Sequence, residues 1–145
     1  MKILMLSLLV GALSFQVSAG ELEWMTDLSK AQAKAKSENK MVMLDFTGSD
    51  WCGWCIKLDK DVFSKKEFQE YARKNLVLVE VDFPRKKKLS SEQAKVNKEL
   101  AEKYKIQGYP TIIVLDGEGK QVGELGYMKS PEPFIEKLEE MKKKA

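Results

Sequence analysis

Two apolar runs, 41–47 and 76–83, constrain the fold of this chain more strongly than any other feature of its sequence. Each run is almost continuously hydrophobic, which is the pattern of a strand that is buried on both faces. The stretch between them, 52–75, has the spacing of helices, and a strand–helix–strand unit pairs its strands in parallel. We therefore expect an α/β fold in which helices cover the sheet.

Apolar residues at three- and four-residue spacing predict further helices on either side of these runs. A glycine-containing turn, 117–120, joins two later strands into an antiparallel hairpin. The predicted helices are 23–40, 63–75, 90–104 and the segment that Ser130 and Pro131 begin, and the predicted hairpin strands are 111–116 and 121–125. The expected sheet is therefore mixed and has four to five strands.

Side chains near two predicted helix starts have the spacing of a capping box, in which a hydroxyl residue and a residue three positions later satisfy backbone N–H groups. Ser64 and Glu67 have this spacing in one helix, and Ser90 and Gln93 have it in the next. Val96 is expected on the buried face of that later helix.

The beginning of the chain has the pattern of an export signal. Lys2 precedes an apolar stretch, 3–15, and small residues that end at Ala19 follow it. This pattern predicts a signal peptide, 1–19, with 20–145 as the mature domain. An uncleaved membrane anchor is the alternative, but the apolar stretch is shorter than the ~20 residues of a spanning helix. We therefore expect a periplasmic or otherwise exported protein.

The composition excludes several classes of protein. The 145 residues include 25 basic and 22 acidic ones, mixed along the chain, which argues against a nucleic-acid-binding protein. The chain contains no histidine, which excludes Ser–His–Asp triads and Cys–His pairs. We expect one domain that needs no cofactor and is a monomer.

Cys52 and Cys55 are the two cysteines of the chain, and Gly53 and Trp54 lie between them. Such a pair can close a structural loop, hold a metal ion or exchange disulfides with other proteins. A disulfide that closes so short a loop would stabilise the fold little, because the effect grows with loop length. Zinc usually takes four Cys or His ligands, and a Cu(I) site here would lack supporting Met or His neighbours.

Redox chemistry accounts best for the spacing of the pair. The sequence predicts a helix that starts at or near Cys52, where free backbone N–H groups and the helix dipole stabilise a thiolate. Cys55 then lies one turn along, within reach of a mixed disulfide formed by Cys52. We therefore expect Cys52 to be the catalytic nucleophile and Cys55 the catalytic resolving thiol of a redox-active disulfide.

Two stretches, LDFTGSDWCGWC (44–55) and YKIQGYPTIIVLDGEGK (104–120), carry a resemblance to a known family. They resemble the thioredoxin superfamily, in particular exported members that have a helix before the first strand. The resemblance covers about residues 24–142 and implies a thioredoxin fold with an extra N-terminal helix. It also implies a protein-disulfide oxidoreductase whose partners are protein thiols and disulfides.

The resemblance implies substrate-binding roles for residues around the cysteine pair. Trp51 would flank the first cysteine, and a cis peptide bond from Tyr109 to Pro110 would expose backbone groups to an extended substrate. An ordinary trans proline is the alternative. Gly126 matches a glycine loop that completes the docking groove, or it is a turn glycine that ends a strand. Trp54 offers substrates an apolar surface, or it packs against the fold.

Asp45 resembles the buried acid of the family, which accepts a proton from the resolving cysteine. A lone carboxylate in an apolar strand is expected to have a raised pKa, which suits a catalytic proton shuttle near neutral pH. Thioredoxin has one residue fewer between this acid and the first cysteine, so Asp50 is an alternative shuttle.

Trp54 also bears on the direction of electron flow. Related oxidases and isomerases have a histidine at this position, which stabilises the thiolate, and Trp54 carries no charge that could do so. We therefore expect a reductase that draws electrons from a separate membrane donor. An oxidase or isomerase of folding proteins is an alternative, and so is a binding or chaperone-like module with an inert disulfide.

A basic run, 84–88, follows the second apolar run. We expect it to be a solvated connector, and a docking patch for an acidic partner is the other interpretation. The run opens a long stretch, 84–97, that departs from thioredoxin, so partner choice could depend on it.

Overall fold

Five strands, five α-helices and one π-helical segment make up the part of the chain that the structure, a computed structural model, describes, residues 21–145. The predicted signal peptide, 1–19, lies outside the described residues. The strands are β1 (Trp24–Met25), β2 (Met41–Thr47), β3 (Leu76–Asp82), β4 (Thr111–Leu115) and β5 (Gln121–Leu125). The helices are α1 (Leu28–Glu38), α2 (Gly53–Leu58), α3 (Lys66–Asn75), α4 (Ser91–Lys103) and α5 (Pro131–Lys142), with the π-helical segment (Asp59–Phe63) between α2 and α3.

The strands form one mixed sheet in the order β1-β3-β2-β4-β5. β2 and β3 run parallel, and Asp45 of β2 lies opposite Glu80 of β3. β4 runs antiparallel to β2 and to β5. The parallel pair, the later hairpin and the mixed sheet that the sequence predicts are therefore confirmed.

The N-terminal helix is shorter than the sequence predicts. The prediction of a helix over 23–40 is wrong at its start, because Trp24 and Met25 extend the sheet as β1 beside β3. Asp27 ends this extended segment, and its carboxylate accepts a hydrogen bond from the backbone N–H of Lys30 at 3.0 Å. This cap satisfies a free N–H of the first turn, so α1 begins at Leu28.

The capping box predicted at Ser64 and Glu67 does not form. The π-helical segment continues the preceding helix, and the hydroxyl of Ser64 donates to the carbonyl of Lys60 at 2.7 Å. The N-cap of α3 is Lys65, which makes no capping hydrogen bond through its side chain. The extra residue of the π-helical segment thus moves the start of α3 past the predicted cap.

The start of α4 fits half of its predicted capping box. The Ser90 hydroxyl accepts a hydrogen bond from the backbone N–H of Gln93 at 3.1 Å, but the Gln93 side chain donates to Asn97 instead of returning to Ser90. Asn97 is buried and donates to the carbonyl of Asp82 at 2.9 Å. Val96 is exposed, so the prediction that it faces the core is wrong.

Buried side chains pack against both faces of the sheet. On one face α3 and α5 cover the sheet, and the buried rings of Phe63, Phe68 and Phe134 pack against one another. On the other face α1 and α4 cover it, and Phe46 is fully buried there. Among residues 21–145, no helix is long and apolar enough to cross a bilayer.

Candidate active site

Cys52 and Cys55 lie where the chain leaves β2 and enters α2. Cys52 is the N-cap residue of α2, as the sequence predicts, and it forms a disulfide with Cys55 at a Cα–Cα distance of 5.2 Å. The backbone N–H of Cys55 donates to the sulfur of Cys52 at 3.3 Å. Only 7% of Cys52 and 5% of Cys55 is exposed, so little of the disulfide is accessible to solvent.

The position of Cys52 favours its thiolate. A side chain at an N-cap can accept hydrogen bonds from the free N–H groups of the first turn, and the helix dipole adds to their effect. α2 runs without a break into the π-helical segment, so the dipole of a longer helical stretch points at Cys52. In the reduced protein the sulfur of Cys52 is therefore the one placed to carry a negative charge.

Asp45 lies behind the disulfide in a polar cavity. Asp45 and Cys55 line a cavity of about 370 Å³, together with Glu80 and Asp59. Asp45 is buried, and its Oδ1 has no hydrogen-bond partner in the protein. Burial raises the pKa of Asp45 to about 8, and the negative charges of Glu80, Asp59 and Asp82 add to the increase.

Asp50, the other candidate acid, makes its hydrogen bonds with the basic run, 84–88. Its carboxylate accepts hydrogen bonds from the backbone N–H groups of Arg85, Lys86 and Lys87 at 2.9, 2.8 and 2.9 Å. These bonds hold the pKa of Asp50 below its usual value, and the bond from the Arg85 N–H has the largest effect. The geometry thus brings Asp45, and not Asp50, into the cavity beside Cys55.

Trp51 and Tyr109 form an aromatic rim next to the disulfide. The Trp51 indole donates to the carbonyl of Phe83 at 2.7 Å, and its ring meets that of Tyr109 edge to face at 6.0 Å. The Arg85 guanidinium lies 3.7 Å from the centre of a Trp51 ring. The Tyr109–Pro110 bond is cis, which confirms the predicted isomer.

Trp54 both packs on the fold and stays open to solvent. Its ring centre lies 4.9 Å from that of Tyr127, and 58% of its surface is exposed. The Tyr127 hydroxyl donates to Asp61 at 2.7 Å and accepts from the Lys57 ammonium at 3.0 Å. Gly126 is exposed and directly precedes Tyr127, so its loop reaches the face that carries Trp54.

Sequence reasoning missed two residues of this site. Glu80 interrupts an apolar strand at the position that pairs with Asp45. An acidic residue within each apolar run, 41–47 and 76–83, was therefore a signal in the sequence that could have identified Glu80. Tyr127 follows the glycine loop but had no local signal, because its partners Lys57 and Asp61 are distant in sequence.

Within residues 21–145 no three His, Cys, Asp or Glu side chains are arranged to hold a metal ion.

The family comparison agrees with the fold and the cysteine pair. Residues 28–142 match the model of the Thioredoxin-like domain, and the chain belongs to this family. The match confirms the resemblance to thioredoxins and the predicted fold class.

Other proteins of known name and solved structure are similar to the chain, among them DsbH and DsbD proteins. The disulfide bond reductase DsbH of Chlamydia pneumoniae is 40% identical over 111 residues, which are 77% of this chain and 66% of DsbH. The thiol:disulfide interchange protein DsbD of Pasteurella multocida is 28% identical over 129 residues, or 86% of this chain. A solved DsbH oxidoreductase superimposes with a TM-score of 0.81 and 36% identity, covering 88% of this chain and 89% of that one.

The chain is thus homologous to DsbH and DsbD, and it shares the Cys-x-x-Cys pair expected of thiol–disulfide oxidoreductases. It spans 66% of the length of the DsbH relative and 21% of the length of the DsbD relative.

Proposed function

We propose that this protein is an exported thiol–disulfide oxidoreductase that reduces disulfides in envelope proteins. The observation that carries the proposal is the placement of the cysteines. Cys52 caps a helix, and Cys55 lies one turn along with its N–H donating to the Cys52 sulfur. Asp45, whose Oδ1 has no hydrogen-bond partner, shares a cavity with Cys55.

The reaction begins from the reduced pair. The Cys52 thiolate attacks one sulfur of a substrate disulfide, which forms a mixed disulfide and releases the other substrate sulfur as a thiolate. The Cys55 thiolate then attacks the Cys52 sulfur, which closes the Cys52–Cys55 disulfide and releases the second substrate thiolate. Two electrons pass from the protein to the substrate, and a dithiol donor must return them.

Asp45 is the proton acceptor in the second step of this mechanism. Cys55 is buried, so its thiol ionises poorly unless a nearby base takes the proton. A carboxyl with a pKa of about 8 is ionised in about one tenth of molecules at pH 7 and is a stronger base than an ordinary aspartate. The cavity gives the proton a route onward to solvent.

The reducing direction and the location rest on different features. Trp54 carries no charge that would stabilise the reduced form, and the DsbH relative is named a disulfide bond reductase. The export of the chain rests on the sequence pattern from Lys2 to Ala19. A reductase in an oxidising compartment needs a donor, and we propose a separate membrane protein for that role and a monomeric reductase.

Reduction of insulin, with dithiothreitol as the electron source, tests this function. The wild-type protein is expected to accelerate the reaction, and Cys52→Ser is expected to abolish the acceleration because the nucleophile is lost. Incubated with substrate proteins in the absence of dithiothreitol, reduced Cys55→Ala is expected to accumulate mixed disulfides that added reductant releases. A Cys52→Ser variant as active as the wild type, together with no captured partner in Cys55→Ala, would indicate a non-catalytic module.

A further inference from the structure

The basic loop, residues 84–88, is fixed against the segment that leads into the cysteine pair. Three consecutive backbone N–H groups of the loop, from Arg85 to Lys87, donate to the carboxylate of Asp50. Asp50 lies two residues before Cys52 in the chain. The loop therefore has a defined position next to the disulfide, which a free solvated connector would not have.

The loop presents more positive charge than its surroundings neutralise. The side chains from Arg85 to Lys88 are exposed, and Lys87 forms an ion pair with Asp82 at 3.0 Å. The Asp50 oxygens accept the backbone bonds described above. The negative charge of Glu80 also acts on Lys87. Four cations against these three acids leave an excess of one positive charge.

A cleft beneath the loop combines this charge with apolar surface. It has a volume of about 410 Å³. Its apolar lining comes from Phe83, Pro84, Leu89 and Ala94. Its charged lining comes from Arg85, Lys87 and Lys88, together with Asp82, which is paired with Lys87. An apolar floor with a cationic rim fits a polypeptide segment that carries carboxylates beside one or two apolar side chains.

The cleft is continuous with the face around the disulfide. The Phe83 ring lies 5.3 Å from the ring of Tyr109, the residue before the cis proline. Trp51 donates to the Phe83 carbonyl and lies under the Arg85 guanidinium. A segment bound in the cleft would thus extend from a disulfide presented to Cys52.

We propose that the basic loop is a docking surface for an acidic polypeptide segment next to the disulfide of the partner protein. This inference rests on the proposed function, since it names the class of partner that the redox site serves. Carboxylates of the partner pair with Lys86, Lys88 and Arg85 while its disulfide reaches Cys52. A protein partner fits better than a nucleic acid or a membrane because the same face carries the cysteine pair.

Two synthetic peptides test the proposal, each with one intramolecular disulfide and either two Glu or two Lys residues beside it. At low ionic strength the wild-type protein is expected to show a kcat/KM about tenfold or more higher for the Glu peptide, because opposite charge speeds encounter. The preference is expected to shrink at about 1 M salt, where the Debye length is about 3 Å.

Charge-reversed variants locate the effect. Lys86→Glu combined with Lys88→Glu is expected to lose or invert the preference for the Glu peptide. Lys143→Glu combined with Lys144→Glu is the matched control, because it makes the same charge change on exposed residues after α5. The neighbouring Lys142 lines a cleft with Met41, the first residue of β2, which is the opposite end of that strand from the cysteines. The control is expected to keep the preference.

An uncharged disulfide, hydroxyethyl disulfide, separates failure of docking from failure of the redox function. If it and both peptides are reduced but the peptides react at equal rates, the docking proposal is wrong and the redox function stands. If nothing is reduced, both proposals are wrong. Binding of phosphatidylglycerol vesicles through Lys86 and Lys88, with no peptide preference, would also overturn the docking proposal.

Discussion

The protonation state of Asp45 that favours folding is not the one that its proposed role as a proton acceptor needs. Asp45 is the one charged residue of β2, and it lies beside Glu80 in a cavity where its Oδ1 has no partner. An ionised carboxylate there lacks the solvation it would have in the unfolded chain. The fold therefore tolerates Asp45 best when it is protonated, whereas the proposed proton transfer needs it ionised.

This opposition predicts how stability depends on pH. The pKa of Asp45 rises from 3.8 to about 8 on folding, so between these values the folded state binds a proton that the unfolded state does not. The stabilising effect of protonated Asp45 is complete below the unfolded pKa and is lost as the pH rises through the folded pKa. Its contribution to the free energy of unfolding falls by about 1.4 kcal/mol per pH unit in this window.

Asp45→Asn is expected to remove this dependence. Relative to the wild type, its free energy of unfolding should increase with pH between pH 5 and pH 7.5, by roughly 1 kcal/mol per unit. Denaturant unfolding of the oxidised protein at several pH values measures the effect. Glu102→Gln, an exposed carboxyl, is the control and should follow the wild type. Parallel pH profiles for Asp45→Asn and the wild type would contradict the assignment.

Tyr127 is predicted to act through Trp54. Tyr127→Phe keeps the ring against Trp54 but removes the hydroxyl that Asp61 and Lys57 hold, so the ring should be less firmly placed. The KM for insulin is expected to rise about two- to fivefold with little change in kcat, because the two lost hydrogen bonds position the ring and do not contact the substrate.

Tyr71→Phe is a matched control for this prediction. It removes a hydroxyl that donates to Glu139 at 2.7 Å, the same distance as in the Tyr127–Asp61 bond, but in contact with α5. Both substitutions should lower stability by about 1 kcal/mol, and only Tyr127→Phe should change KM. Equal KM values for the two variants would show that Tyr127 has no part in docking.

At the scale of the element, the helix that carries the cysteines is supported from behind by aromatic packing. Phe63, in the π-helical segment that continues α2, packs against Phe134 of α5 at 5.8 Å between ring centres. Phe134→Ala is expected to lower the free energy of unfolding by about 3–5 kcal/mol, because a fully buried ring is removed. Chemical denaturation measures this loss.

Val96→Ala on α4 provides the contrast for that prediction. Val96 is 41% exposed, so its truncation is expected to change stability by less than about 0.5 kcal/mol. Similar losses in the two variants would mean that the aromatic cluster is not the main packing contact behind the site.

The elements also show what the sequence could and could not predict. The two parallel strands were predictable, because 41–47 and 76–83 are almost continuously apolar. β1 was not, since a two-residue strand has no periodicity and depends on its pairing with β3. The cap at Ser64 was mispredicted because its hydroxyl donates to the carbonyl of Lys60 in the π-helical segment. No local sequence pattern predicted that segment.

At the scale of the whole molecule, the sheet order brings distant segments to one face. The disulfide, the cis proline, Tyr127 and the basic loop come from four separate parts of the chain, and contacts among their aromatic side chains join them. The cysteine pair and the cis bond were predictable from local motifs and family resemblance. The attachment of the basic loop to Asp50 was not, because it joins residues 35 to 37 positions apart.

The reduction potential of the Cys52–Cys55 pair tests the central claim most directly. Equilibration of the purified protein with glutathione or dithiothreitol buffers, followed by quantification of its free thiols, gives the value. A reductase with no charge at Trp54 to stabilise the thiolate is expected near the potential of thioredoxin, about −270 mV. A potential between about −180 and −120 mV would contradict the reducing direction and would place the protein among oxidases and isomerases.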